Sequence, residues 1–251
     1  MNPSILSVVI ENADFLIAEA LPGIVARKAL PDEVFEFCTQ LRRRGIAELL
    51  LRGIPDELLR QLSFSGRAFL HVLPAIPEGR RAAGEQRPFL DALASGDVEC
   101  ASHIAQMCPV AHSPGEELEE DFLFMTSLMG LMLDKREGVA KLVARYTEIV
   151  GEDDEPQLAV LRALVARDDL GFEEAITSRM KEVNKRYRDL QQVAITDEEA
   201  ETEGRVSSEG IALVRLAGRL GMHVAQSYRM VPPPVWRATW SPGPPDEWMQ
   251  P

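Results

Sequence analysis

Three stretches of the chain resemble one another, and their spacing limits the possible folds. Each is an apolar helical segment that ends at a small polar turn and is followed at once by a second helical segment. The three stretches are residues 89–97, 128–135 and 161–169. Their turn acids Asp97, Asp134 and Asp168 recur 37 and 34 residues apart. A period near 34 is typical of stacked helical hairpins. The sequence therefore predicts an all-α fold of stacked antiparallel helical hairpins with a tetratricopeptide-like period.

Proline and glycine divide the chain into predicted helices. The first helix is expected over residues 4–21, where Pro22-Gly23 ends it. A second helix should begin at residues 31–33 and end at Gly53, since proline and acids suit a first turn. We expect one helical domain with three parts and a tail. The domain, residues 1–230, consists of N-terminal helices over 1–73, a linker over 74–88 and hairpin repeats over 89–230. The tail covers residues 231–251.

Two segments of the repeat region differ in pattern. Residues 121–133 are apolar on nearly every side, which predicts a helix in the middle of the stack. Residues 171–191 are amphipathic, and their apolar stripe should face the core. The stripe consists of Phe172, Ile176, Met180, Val183, Tyr187 and Leu190.

The tail is rich in proline and tryptophan. Residues 232–234 and 242–245 should exclude helix and favour an extended chain. All three tryptophans, Trp236, Trp240 and Trp248, lie here. An exposed aromatic patch is a liability, so we expect the tail to dock on the helices in preference to contacting a partner.

The net charge of −13 argues against binding to nucleic acid or to an anionic membrane. Residues 116–121, 152–155 and 197–203 hold five, four and five acids, and the remaining 26 acids face 27 basic residues. Concentrated acids attract a basic partner and speed its association. Two other interpretations stay open: a charge run is often a solvated loop, and residues 116–121 also suit the first turn of a helix.

The chain has no apolar run of about 18 residues, and residues 1–21 carry no basic leader. Its three cysteines, Cys38, Cys100 and Cys108, cannot all pair with one another. These features favour a reducing, cytoplasmic location.

The sharpest pattern for chemistry is Cys100, His103, Cys108 and His112, four residue types that bind zinc. However, Cys100 and His103 lie one turn apart on a helix with its own apolar face to bury, and a buried cysteine behaves as a small hydrophobe. A phosphate loop, a nucleophile elbow and an HExxH pair are all missing. We therefore expect no metal, no cofactor and no enzyme, with a metal-dependent enzyme at these four residues as a minor alternative.

The order of several segments resembles one family. The segments are residues 65–70, 93–97 and 161–164, the amphipathic helix that ends near Tyr187, and residues 209–224. Over residues 1–235 the chain resembles the immunity 49 family of bacterial polymorphic-toxin systems. The resemblance implies an all-helical cytoplasmic protein that binds and neutralises a cognate toxin. It carries over no catalytic residues, and the sequence after Val235 lies outside it.

The leading hypothesis is therefore an immunity protein that binds a basic toxin, and neither nucleic acid nor membrane, through an acidic surface. The candidate toxin contacts are Glu116, Glu117, Glu119, Glu120, Asp121, Glu152, Asp153, Asp154, Glu155, Asp197, Glu198 and Glu199. The alternative is a helical-repeat scaffold or adaptor that binds a peptide or a protein subunit in a groove lined by apolar and basic residues.

Overall fold

A computed structural model describes residues 3–77, 81–109, 111–151, 155–190, 194–225 and 227–250. Within these ranges the chain forms α-helices and contains no strand, which confirms the all-α prediction. The helices are α1 (Pro3–Val25), α2 (Pro31–Arg52), α3 (Pro55–Val72), α4 (Arg87–Ser95), α5 (Val98–Met107), α6 (Glu119–Met132), α7 (Arg136–Val150), α8 (Pro156–Ala166), α9 (Asp169–Leu190), α10 (Asp197–Glu201), α11 (Ser208–Arg219) and α12 (Pro233–Trp236).

Neighbouring helices along the chain make most of the extensive contacts, and α11 returns to pack against α4. The helix α6 is buried over most of its length, as its apolar sequence predicts. One continuous core of buried apolar side chains extends from Ile24 to Trp248. No helix in the described part of the chain is both long and apolar enough to cross a lipid bilayer. The repeat of hairpins itself stays a prediction.

The ends of α2 follow the sequence signals. Pro31 occupies the first position, and the Glu33 carboxylate accepts a hydrogen bond from the Leu30 backbone N–H at 2.7 Å. At the other end Gly53 has φ = 72°, a left-handed conformation that glycine adopts at little cost. The predicted start and end of this helix are confirmed.

The predicted end of α1 is wrong. The helix continues through Pro22 to Val25, and the Pro22 carbonyl accepts a hydrogen bond from Ala26. A proline leaves the carbonyl four residues earlier without its usual donor. That carbonyl belongs to Ala18, which is exposed, so water can replace the missing N–H group.

The three repeated turns share one hydrogen-bond pattern, but their sequence alignment by aspartate is wrong at the middle turn. Gly96, Asp134 and Arg167 all have positive φ, and each begins the pair of backbone hydrogen bonds that closes a Schellman motif. Asp134 therefore corresponds to Gly96, and Lys135 takes the place of Asp97. Asp97 caps α5, whereas Lys135 offers no acceptor to α7.

The described part of the predicted linker 74–88 is packed. It begins in a 3-10 turn, Leu73–Ala75, and its Ile76, Ala83 and Gln86 side chains are buried. The N-terminal helix α3 packs directly against α4.

The tail contains a short helix, Pro233–Trp236, so the expectation that its first prolines exclude helix is wrong. Prolines are tolerated in the first turn, where their missing N–H groups would have no helical partner. The tail docks on the helices as expected. Trp248 is 4% exposed and meets the rings of Phe37 and His71 edge-on. Arg67 donates hydrogen bonds to the carbonyls of Gly243 and Pro244, at 2.9 and 2.6 Å.

The predicted stripe of α9 faces the core, but only its first half is fully buried. Phe172, Ile176 and Met180 are buried, whereas the other three members are half-buried. Those three residues, Val183, Tyr187 and Leu190, line an open groove beside α4.

Candidate functional site

The four candidate zinc ligands do not form a metal site. Cys100 and Cys108 are buried, while His103 is exposed and His112 lies 3.0 Å from the Glu117 carbonyl oxygen. Burial raises the pKa of Cys108 to about 12, so its side chain is a neutral thiol that packs as a small apolar group. Across the described ranges, no group of three His, Cys, Asp or Glu residues could hold a metal ion.

Several candidate acids already form hydrogen bonds within the molecule or are partly buried. Glu119 forms two hydrogen bonds with Arg145, at 2.8 and 3.2 Å. The Glu155 carboxylate accepts a hydrogen bond from the backbone of Gln157 and caps α8. Glu120 is half-buried in the first turn of α6. The candidates Glu152, Asp153 and Asp154 lie outside the described residues.

The run 197–203 connects elements of the fold. Glu198 accepts a hydrogen bond from the Asn12 side chain at 2.6 Å, and Glu199 pairs with Arg43 at 3.3 Å. Asp197 is exposed in the first turn of α10. The contacts of Glu198 and Glu199 tie α10 to α1 and α2.

Glu203, at the end of this run, belongs to a buried ion-pair network, which we call the Arg42 network: Arg42, Arg43, Asp91 and Glu203. Arg42 makes two hydrogen bonds of 2.8 Å with Asp91 and one of 3.0 Å with Glu203. Burial opposes ionisation of Glu203, but Arg42 and Arg43 outweigh it and hold the pKa of Glu203 below its usual range. This network joins α2, α4 and the segment before α11.

A second group of acids lies in the opposite surroundings. Its members come from α2, from the segment before α4 and from the start of α6. We call it the Glu85 cluster: Asp32, Glu85, Glu116, Glu117 and Asp121. Partial burial, followed by the negative charges of the other four acids, raises the pKa of Glu85. Glu85, Glu116, Asp121 and Asp32 are exposed, and Glu117 is half-buried.

Gly84 permits the close approach that forms this cluster. Its backbone N–H donates a hydrogen bond to the Glu117 carboxylate at 2.6 Å. A β-carbon at position 84 would lie 2.7 Å from the Asp121 β-carbon and 3.0 Å from its backbone carbonyl carbon. Only glycine lets the segment before α4 lie so close to the start of α6. Glu85 is therefore held beside the acids of residues 116–121.

A groove of about 550 Å³ adjoins the cluster, and its charge is mixed. Asp121 and Glu155 line it together with Arg87, Arg179 and Arg186. Burial and the charge of Glu120 raise the pKa of Asp121, against the opposing effect of these three arginines. The acidic surface is thus bounded on this side by basic residues.

Sequence patterns missed two members of the cluster. Asp32 and Glu85 stand outside the three acidic runs, and only the fold brings them to residues 116–121. Gly84 offered one signal in the sequence, since a glycine in an irregular segment is compatible with a close approach of two backbones. The charge runs alone did not indicate which acids lack cationic partners.

These observations define the class: an all-α protein with an exposed cluster of acids and a buried ion-pair network. The chain belongs to the immunity protein 49 family, whose family model matches residues 78–234. The match ends within one residue of the expected boundary at 235, whereas residues 1–77 lie outside it. Four members of the Glu85 cluster fall within the match, and Asp32 does not. No curated protein and no solved structure matches the chain in these comparisons.

Proposed function

We propose that this protein is an immunity protein that binds and neutralises a cognate bacterial toxin in the cytoplasm. The family supports the general role, since its model covers more than half of the chain. The contact surface is the Glu85 cluster, which takes up Glu116, Glu117 and Asp121 of the candidate acids. A basic surface of the toxin would dock there, so that the bound protein occludes the toxin's active site.

The observation that carries this proposal is the convergence of five acids from three segments, held by the Gly84–Glu117 hydrogen bond; partial burial and the neighbouring charges raise the pKa of Glu85 there. Like charges that repel one another in the free protein make the ionised cluster unfavourable until a cation approaches. A basic partner relieves this repulsion, and the same field speeds its association. By contrast, acids such as Glu119 and Glu203 are already paired with arginines and gain less from a partner.

The test is a kinetic titration against the toxin encoded by the neighbouring gene. The double variant Glu85→Gln/Glu116→Gln removes two charges whose side chains have no hydrogen-bond partner among the described residues. We expect association to slow roughly tenfold at low salt, because steering falls with the local charge. The matched control is Glu173→Gln/Glu174→Gln, which removes two exposed charges of α9 away from the cluster.

The proposal predicts nanomolar binding that weakens with salt, together with rescue of cells that produce the toxin. Equal slowing by both double variants would show that only net charge matters and would exclude the cluster as the contact. A chain that neither binds the toxin nor rescues cells would not be its immunity protein, and the scaffold or adaptor role would then be favoured.

A further inference from the structure

A second surface feature lies between α1 and α2, outside the residues that the family model matches. It is a groove of about 510 Å³ with an apolar floor. The floor includes Leu16, Ala20, Ile24 and Phe37. Leu16 is 39% exposed and has no covering segment in the described part of the chain. The groove therefore presents apolar surface to water at a defined place.

The rim of this groove is acidic. Glu19 of α1 and Asp32, Glu33 and Glu36 of α2 line it, and none of the described lining residues is lysine or arginine. Glu33 is engaged with the Leu30 backbone, but neither Glu19 nor Asp32 has a hydrogen-bond or ion-pair partner within the described ranges. An apolar occupant without charge would leave these acids uncompensated. The charge of the rim thus selects a basic occupant.

Asp32 joins the two surfaces, because it lines the groove and also acts on Glu85. One partner can therefore cover both at once. The Glu85 cluster itself consists of acids, with Leu118 as an exposed apolar neighbour, while the groove supplies a recessed apolar floor. Exposed charges mainly change the association rate, whereas buried apolar anchors mainly change dissociation.

We infer that the groove between α1 and α2 receives an amphipathic segment of the toxin, an inference that rests on the proposed function. Apolar side chains of that segment pack on Leu16 and Ala20, and its lysines or arginines meet Glu19 and Asp32. The segment acts as the apolar anchor of a complex whose encounter is steered by the Glu85 cluster.

The first experiment compares Leu16→Ser with Phe15→Ser in binding kinetics with the toxin of the neighbouring gene. Phe15 is the adjacent residue of α1, is 68% exposed and does not line the groove, so it controls for loss of surface apolarity. We expect Leu16→Ser to dissociate roughly tenfold faster with an unchanged association rate. Phe15→Ser should bind like the unmodified protein.

The second experiment uses a synthetic amphipathic peptide of lysine and leucine, with a glutamate–leucine peptide as its control. The lysine peptide should bind the unmodified protein and should bind the Glu19→Lys variant more weakly. It should bind the control variant Glu11→Lys as well as the unmodified protein, because Glu11 is an exposed acid of α1 outside the groove. Equal binding of both peptides would overturn the role of the rim.

The outcomes separate this inference from the proposed function. Tight toxin binding that Leu16→Ser leaves unchanged would overturn the groove as the anchor, while the proposed function would stand. If the toxin does not bind at all, the assignment of the groove to the toxin fails together with the proposed function, whatever the peptide does.

Discussion

The Arg42 network and the Glu85 cluster place the same kind of side chain in opposite surroundings. In the network, arginines hold the pKa of Glu203 low and the ionised acid stabilises the fold. In the cluster, partial burial and then the neighbouring acids raise the pKa of Glu85, so its ionised form is disfavoured in the free protein. Both regions draw on acidic runs of the sequence. The difference teaches that the position of the arginines, more than the density of acids, separates structural acids from those available to a partner.

The largest expected effect comes from breaking the network with Asp91→Ala. Arg42 and Asp91 are buried, and the variant leaves the guanidinium without its two-pronged partner. Loss of one member of a buried pair typically removes about 3–5 kcal/mol of stability. Urea denaturation measures the change. The control Asp14→Ala, which breaks the more exposed pair with Arg44, should lower stability by less than about 1 kcal/mol.

A milder change to the network is Glu203→Gln, which keeps the shape and removes the charge. A hydrogen bond to a charged group contributes about 1.5–3 kcal/mol, and we expect a loss of that order at neutral pH. A lowered pKa gives stability that is present above the ordinary pKa of glutamate and is lost as the pH falls through the lowered value. The difference from the unmodified protein should therefore shrink in acid. A constant difference at all pH values would contradict the role of its charge.

The variant Glu85→Gln should raise stability at neutral pH, in contrast to the loss expected for Glu203→Gln. A raised pKa gives stability that is present below the ordinary pKa of glutamate and is lost as the pH rises through the raised value. The neutral glutamine keeps this stability at neutral pH, so thermal unfolding should show a higher Tm for the variant. The gain should vanish below a pH of about 4, where Glu85 is itself protonated. A lower Tm at neutral pH would show that Glu85 is a structural acid.

The smallest expected effect belongs to Glu119→Gln. Glu119 and Arg145 form an exposed pair, which solvent screens and side-chain entropy weakens. Thermal unfolding should give an unchanged Tm. A clear loss of stability would place Glu119 with the acids of the network, in spite of its exposure.

The sequence predicted the features that depend on local pattern. The all-α class, the start of α2 at Pro31 and the burial of α6 follow from proline, capping and apolar periodicity. The same reasoning failed where tertiary contacts or solvent decide the outcome. Pro22 stays within α1 because Ala18, whose carbonyl loses its helical donor, is exposed and water can replace that donor. The middle turn is displaced by one residue because Asp134 adopts a left-handed conformation that favours glycine.

The candidate site was predictable only in part. The run 116–121 supplies three members of the Glu85 cluster, but Asp32 and Glu85 join it only through the packing of α2 and the segment before α4. The run 197–203 was assigned to a partner on the same grounds, and its Glu199 and Glu203 instead pair with Arg43. Charge runs are visible in a sequence, whereas the cations that neutralise them come from distant segments.

Gly84 carries no charge, yet it influences the electrostatics of the surface. Its missing β-carbon sets how near Glu85 lies to Asp121, so it sets the local density of negative charge. A larger residue at position 84 would move the two backbones apart and weaken the negative field of the cluster without removing any acid.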